Sequence, residues 1–329
     1  MPNYVSESWR FFMEIDVDLK NTCVRINVDL KITSKQKYKE KRKLTEAIMK
    51  YAISAATGNF GQIAVKKLVD AVGAGNVVAI VRNEEKGKKL LPAGIEIRQA
   101  DYGDEAAVEK ALAGVDKFLF ISSQPGGAVT RADQHKNVVE AAKKAGVGYV
   151  AYTSFPKASE SDNWLAADHK LTEKLLKESG IKHSFLRNNW DLENDLSFLA
   201  PGPANRIYWA NNFAGWAPES EYAAAAVKVL TSDDPKEVYE FAGPKRSYED
   251  LAAALNAATG EDTAAKQVSQ DEYVQVLEGL GLDHDTAAMY ANFQQPIDDG
   301  SLTEESSDLK EVLGGLTPLD QAIKELLAK

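Results

Sequence analysis

The chain has 329 residues, 44% hydrophobic and 27% charged, with a formal net charge of −10. This is ordinary composition for a folded chain with a sizeable core, and the acidic balance disfavours a sequence-wide attraction to nucleic acid. The single cysteine, Cys23, excludes an intrachain disulfide framework. The four histidines have no ligand spacing, so no metal is expected. No apolar run approaches the ~20 residues of a membrane span and no secretory leader is evident, which points to the cytoplasm.

Residues 1–48 stand apart. Their ten basic and seven acidic residues give +3, leaving −13 for the rest. Alternation over 24–32 predicts one strand, and the basic run 35–43 reads as a solvated appendage. Met49 stands directly before the first patterned strand. The expectation is that the protein starts there and that 1–48 is an over-extended reading frame; N-terminal sequencing that recovers this segment from native protein would refute it.

From Met49 the pattern alternates. Strands are expected at 51–54, 77–81, 95–98, 117–121 and 149–153. Amphipathic helices are expected at 62–72, 84–91, 104–112, 133–145 and 166–178. Short, nearly continuous apolar strands separated by helices of about ten residues predict a Rossmann-like α/β fold, a doubly wound parallel sheet covered on both faces. Beyond Arg187 the rhythm loosens. Gly202-Pro-Ala-Asn precedes a short strand at 206–209, then come a helix at 219–230 and a strand at 238–241. Helices at 248–259, 271–280 and 319–327 follow, with a break at 298–300. This is a smaller α-rich region, some of whose strands return to the main sheet.

The first patterned strand enters Ala55-x-x-Gly58-x-x-Gly61, with Thr57, Asn59 and Phe60 inside the turn. A strand, a small-residue turn and a helix start leave backbone N–H groups aimed at an anion, with the helix dipole behind them. These six residues are the expected pyrophosphate cradle. The second strand ends in Arg82, where an NAD-preferring site carries an acidic residue. A guanidinium suits a 2′-phosphate, so the expected cofactor is NADPH/NADP. Asp101 and Tyr102 end the third strand, where an adenine would lie, and Asp104 is the better cap for the next helix. Ser122 and Ser123 end the fourth strand, ahead of a Pro125-Gly-Gly127 loop, and Thr153 and Ser154 end the fifth. Small polar residues thus collect at one edge of the sheet, as a cofactor crevice requires.

Four segments carry a resemblance: Ser54-Ala-Ala-Thr-Gly-Asn-Phe-Gly61, Val78-Ala-Ile-Val-Arg-Asn83, Ile97-Arg-Gln-Ala-Asp-Tyr-Gly-Asp104 and Leu186-Arg-Asn-Asn-Trp-Asp-Leu-Glu-Asn194. They resemble the NmrA-like branch of atypical short-chain dehydrogenases, and within it the bacterial type-two NADPH:quinone oxidoreductases. The likeness runs from Met49 to the C-terminus and is strongest through Asn194. The branch usually has glycine where this turn has Ala55. Main-line short-chain dehydrogenases use Tyr-x-x-x-Lys to pass a proton. Aligned on Glu173, Leu165 stands at the tyrosine position and His169 at the lysine position, and the chain contains no Tyr-x-x-x-Lys.

An alcohol or ketone dehydrogenase is therefore disfavoured. A quinone is a stronger electrophile whose product oxyanion is stabilised by aromaticity, so it needs less help from an acid. The resemblance implies hydride transfer from NADPH to quinones or similar electrophilic acceptors. It places Asn188, Trp190 and Asn194 beside the nicotinamide. Asn194, Asn188 and His169 are the expected catalytic residues, with Phe155 and Trp190 against the substrate. The implied division is an NADP-binding domain at 49–190 and a substrate or lid region at 191–329. The competing reading is a non-catalytic NADP(H)-binding redox sensor of the NmrA type. The expected partner is a small quinone-like molecule; the oligomeric state is not set, and a homo-oligomer stays open.

The remaining histidines read as bystanders: His183 structural, His135 solvent-facing on an amphipathic helix, and His284 in a solvated turn between Asp283 and Asp285. Of Trp164, Trp190, Tyr208, Trp209, Phe213 and Trp216, at least half are expected in the core and the rest in a pocket for a planar ligand.

Overall fold

The computed structural model describes residues 49–124, 128–199, 206–262 and 264–328, and two strands before them, with backbone alone for 13–18, 23–28 and 196–199. The chain divides into two compact units, Met1–Ile48 and Met49–Lys329. In the first, β1 (Met13–Asp18) pairs antiparallel with β2 (Cys23–Val28). The single expected strand is thus one arm of a ribbon. Its partner, Met-Glu-Ile-Asp-Val-Asp, alternates apolar and acidic residues just as clearly. The basic run 35–43, residues 125–127 and residues 202–205 lie outside the described residues.

The second unit contains β3 (Tyr51–Ile53), β4 (Val77–Val81), β5 (Glu96–Gln99), β6 (Lys117–Phe120), β7 (Tyr149–Ser154), β8 (Lys182–Asn188), β9 (Ile207–Tyr208), β10 (Val238–Phe241) and β11 (Lys266–Gln267). Seven of these form one parallel sheet in the order β10-β8-β7-β6-β3-β4-β5. The strand order reverses between β3 and β6, and in such sheets ligands bind outside the carboxyl ends of the strands at that reversal.

The near-continuous apolar strands follow from burial on both faces. Tyr51, Ile53, Val77, Ala79 and Val81 pack under the helices Asn59–Val72 and Glu219–Thr231. Ala52, Val78 and Ile80 point the other way, toward Val108, Leu112, Val138, Val139 and Leu176 of the helices Glu105–Leu112, Arg131–Lys144 and Ala166–Ser179. Full burial of each such Val or Ile contributes about 1.5–3 kcal/mol. The expected strands and helices of this half appear within three residues of their predicted bounds.

β10 pairs with β8, so the C-terminal part does return to the main sheet. The helices Tyr248–Thr259 and Leu319–Leu327 build a separate core with Tyr208, Trp216 and Ile297. Tyr208 and Trp216 are therefore core, while Trp164 and Phe213 are exposed. Three further short helices, His284–Asn292, Gln295–Asp298 and Asp308–Leu313, were not legible as periodic segments. His284 thus opens a helix capped by Asp283 and pairs with Glu278 (2.8 Å). Among the described residues no helix is long and apolar enough to cross a membrane.

Candidate active site

The turn after β3 places the first residues of the site. Ala55 adopts φ +49°, the left-handed region where glycine is free of strain and alanine costs about 1–2 kcal/mol. Gly61 is required for a different reason. A Cβ there would lie 2.4 Å from the Ala55 carbonyl oxygen, so the Asn59–Val72 helix rides directly on the turn. Gly58 is the N-cap of that helix and has no capping side chain, and no acidic residue occupies the first turn. The helices beginning at Glu84, Glu105 and Arg131 are instead capped by Asn83, Asp104 and Thr130. The first-turn N–H groups of the Asn59–Val72 helix therefore suit an external anion.

Arg82 is exposed at the end of β4, and Asp101 is exposed beyond β5. Asp101 Oδ1 accepts from Gly103 N (2.8 Å), and Asp104 caps the next helix as expected. The Tyr102 hydroxyl donates to Ile121 O (2.8 Å) and is bonded to Ser54 Oγ. It ties β5 to the strand reversal and leaves only its half-buried ring for a ligand. Burial raises its pKa.

A cavity of about 780 Å³ opens beside the reversal. Among the predicted site residues it brings together Asn59, Phe60, Ser122, Thr153, Ser154, Phe155, His169, Asn188, Trp190 and Asn194. Ser122 N donates to Thr153 Oγ1 (2.9 Å), joining β6 to β7. Ser154 Oγ donates to Glu173 Oε1 (2.7 Å). Ser123 turns away from the cavity, its N–H and hydroxyl meeting His135 Nε2 at 3.0 and 3.2 Å.

His135 is fully buried, which corrects the solvent-facing expectation. It lies in the buried stripe His135, Val138, Val139, Ala142, whose i, i+3, i+4, i+7 spacing was readable in the sequence. Its Nδ1 contacts Thr172 Oγ1 (2.8 Å), and burial, then Arg131, push its pKa down to about 3. His169 is buried too. Its Nδ1 meets the Tyr152 hydroxyl at 2.8 Å and its Nε2 meets Arg131 Nη2 at 3.0 Å. A guanidinium only donates, so Nε2 accepts and the neutral ring keeps its proton on Nδ1. Burial, Arg131 and His135 hold His169 well below the ordinary histidine value.

The two asparagines after Arg187 have different roles. Asn189 Oδ1 accepts from Gly215 N and its Nδ2 donates to Leu302 O, both at 3.0 Å. Asn188 faces the cavity, and its buried Oδ1 has no partner among the described residues. Arg187 itself is structural: Nε and Nη2 clasp Glu173 (2.8 and 2.7 Å), and Nη1 reaches Glu240 (2.7 Å). Burial opposes its charge, but these bonds more than restore it.

Several wall residues escaped the sequence reading. Arg131 and Asp191 are among them, as are Tyr273, Tyr290 and Phe293, which supply aromatic surface expected from earlier in the chain. Asp191 is raised well above the carboxylate range by burial, then by Glu219 and Glu193. Asp195 accepts from Trp216 Nε1 (2.7 Å) and Tyr248 Oη (2.9 Å). Burial lifts it to about 6 against the pull of those bonds. With the folded value above the unfolded one, the native state binds this proton more tightly, so the stability contributed by Asp195 falls as pH rises from about 4 to 6. Asp195→Asn should remove this component from the pH dependence of the urea midpoint; parallel curves for the two proteins would count against it.

The model of an NAD(P)H-binding family matches residues 55–203. The chain is 39% identical to quinone oxidoreductase 2 of Escherichia coli over 286 residues, 84% of this chain and 98% of that protein. It is 28% identical to an NmrA-like family domain-containing oxidoreductase of Aspergillus flavus, over 69% of this chain and 76% of that one. The chain belongs to the NmrA-like NAD(P)H-binding oxidoreductases. Solved structures superpose along most of its length. The E. coli NADPH-dependent quinone oxidoreductase in complex with NADPH matches with TM-score 0.77 and 37% identity, covering 84% of this chain and 99% of that one. The Citrobacter triphenylmethane reductase complexed with NADP(H) matches with TM-score 0.78 and 32% identity, covering 84% and 99%.

Proposed function

We propose that this protein is an NADPH-dependent oxidoreductase that reduces quinones or similar electrophilic acceptors. The observation that carries this reading is a single cavity running from the uncapped helix N-terminus after β3 to an aromatic chamber with no phenol–lysine relay. Relatives that are a quinone oxidoreductase and a triphenylmethane reductase support an electrophilic acceptor.

The residues fit the cofactor. Ala55, Thr57, Gly58, Asn59, Phe60 and Gly61 would hold the pyrophosphate, and the close approach at Gly61 is what such a turn needs. Arg82 would pair with the 2′-phosphate, and Asp101 and the Tyr102 ring would border the adenine. Ser122, Thr153 and Ser154 line the cavity along the ribose–nicotinamide path, while Ser123, expected there too, is turned onto His135. When bound, the dinucleotide supplies a hydride. The chain's own residues orient the acceptor: Phe155 and Trp190 flank its ring, and Asn188 and Asn194 meet its oxygen. His169 holds the wall behind. Leu165 lines the cavity where main-line dehydrogenases place their tyrosine. The site therefore suits an acceptor that needs no strong acid in the transition state. In this reading residues 49–190 carry the nucleotide and 191–329 complete the acceptor wall.

Loss of NADPH absorbance with a panel of quinones tests the reading. Tight NADP binding without turnover on any acceptor would favour a sensor instead. Arg82→Ala is expected to weaken NADPH by roughly 10–100-fold, the loss of charge-assisted bonds worth about 1.5–3 kcal/mol. NADH binding should barely change; equal losses for both would refute the phosphate role.

A further inference from the structure

Arg131 is the one lysine or arginine among the described residues lining the cavity. Its side chain is 10% exposed, and its Nε is buried without a hydrogen-bond partner among the described residues. Of the five guanidinium N–H groups, one reaches His169 Nε2 at 3.0 Å. The paired carboxylate, Asp168, stands 3.9 Å from Nη1 with its own side chain 35% exposed, too far for a hydrogen bond. Arg187 shows what a structural arginine looks like in this fold, with two carboxylates clasped at 2.7–2.8 Å. A cation buried this deeply with its donors unspent is costly unless something else completes it.

The two imidazoles beside it aim the guanidinium and carry no charge to neutralise it. His169 Nε2 can only accept, so its proton faces Tyr152. His135 Nε2 accepts from Ser123 N–H, so its proton faces Thr172. Neither imidazole can take up another proton without breaking one of these bonds. Phe155, on the acceptor side, stacks on the His169 ring (centroids 6.1 Å apart, planes at 28°).

We propose that Arg131 is a catalytic residue that holds the acceptor oxygen on which negative charge gathers; this rests on the quinone reading above. A quinone that receives a hydride gains two electrons and one hydrogen while the nicotinamide is oxidised. The product is at that moment a hydroquinone monoanion, and the second proton comes from water. Leu165 offers no proton, so the charge must be held electrostatically. A fixed cation on the cavity wall stabilises charge that gathers at such a point. The site thereby selects acceptors that become anionic on reduction.

The test uses the full-length protein saturated with NADP⁺, and 4-nitrophenol as a stable mimic of the monoanion. Phenolate absorbance followed against pH should show the bound phenol ionising roughly one to three pH units below the free one. In Arg131→Met the shift should vanish, and in Arg131→Lys part of it should remain. The melting temperature with NADP⁺ reports whether each variant is folded, and Arg131→Gln gives the same readout if the methionine variant is not. With neutral benzoquinone, Arg131→Met should lower kcat by about 10²-fold while the KM for NADPH hardly moves. Failure of the wild type to bind nitrophenolate, an unchanged shift in a folded variant, or a defect confined to the KM for NADPH would overturn the proposal. An Arg131-dependent shift in a wild type that turns over no quinone would leave the anion site standing and refute the quinone reading instead.

Discussion

Replacing Arg187 with methionine is expected to destabilise the protein by about 3–5 kcal/mol, the usual cost of stranding the partner of a buried ion pair. Glu173 is 2% exposed, so with Arg187 gone its carboxylate has no route to water. Ser154 Oγ remains as its donor, and one hydroxyl cannot balance a full buried charge. Glu240 is less affected, because it lies nearer the surface on β10. The double variant Arg187→Met/Glu173→Leu should therefore recover part of the loss, since it removes both buried charges. Urea unfolding of the two single variants and the double reads the coupling directly. Simple additivity would show that the pair is not a unit. Quinone turnover should fall with stability, because Asn188 is the next residue on β8 and its place on the cavity wall depends on this clasp.

The second large effect is at Gly61. In Gly61→Ala the new Cβ would lie 2.4 Å from Ala55 O and 2.8 Å from Ala56 Cα, and neither backbone atom can rotate away. The helix must lift from the turn, at about 1–3 kcal/mol for overpacking of this kind. Its N–H groups then move off the anion position, so NADPH affinity should fall at least tenfold, roughly 1.4 kcal/mol. Gly58→Ala is the matched control for stability. There the nearest heavy atom would be Ala55 O at 3.4 Å, and φ is −75°, open to any residue. Thermal melts and NADPH fluorescence titrations separate the two sites; equal destabilisation by both substitutions would contradict the packing account.

The sequence determined the nucleotide half almost completely. β4 is a run of apolar residues because both faces are covered, and the helix after Asp104 starts where its cap stands; such signals are complete within a few neighbouring residues. The small-residue turn and the polar strand ends were legible for the same reason, since a parallel sheet puts every strand's carboxyl end at one edge. The burial of His135 is also present in the spacing of its helix, with Val138, Val139 and Ala142 on the same stripe.

How side chains from different elements meet follows from packing rather than from local sequence. Arg131 and His169 are 38 positions apart, and they meet because the helices Arg131–Lys144 and Ala166–Ser179 pack side by side on one face of the sheet. Tyr273, Tyr290 and Phe293 reach the cavity from the C-terminal part, while Tyr208 and Trp216, two of the six clustered aromatics of which at least half are expected in the core, fill a core. Which arginine is clasped by carboxylates and which keeps its donors for a ligand depends on partners distant in the chain. Local patterns set where strands and helices form, but charge compensation is settled only when those elements pack.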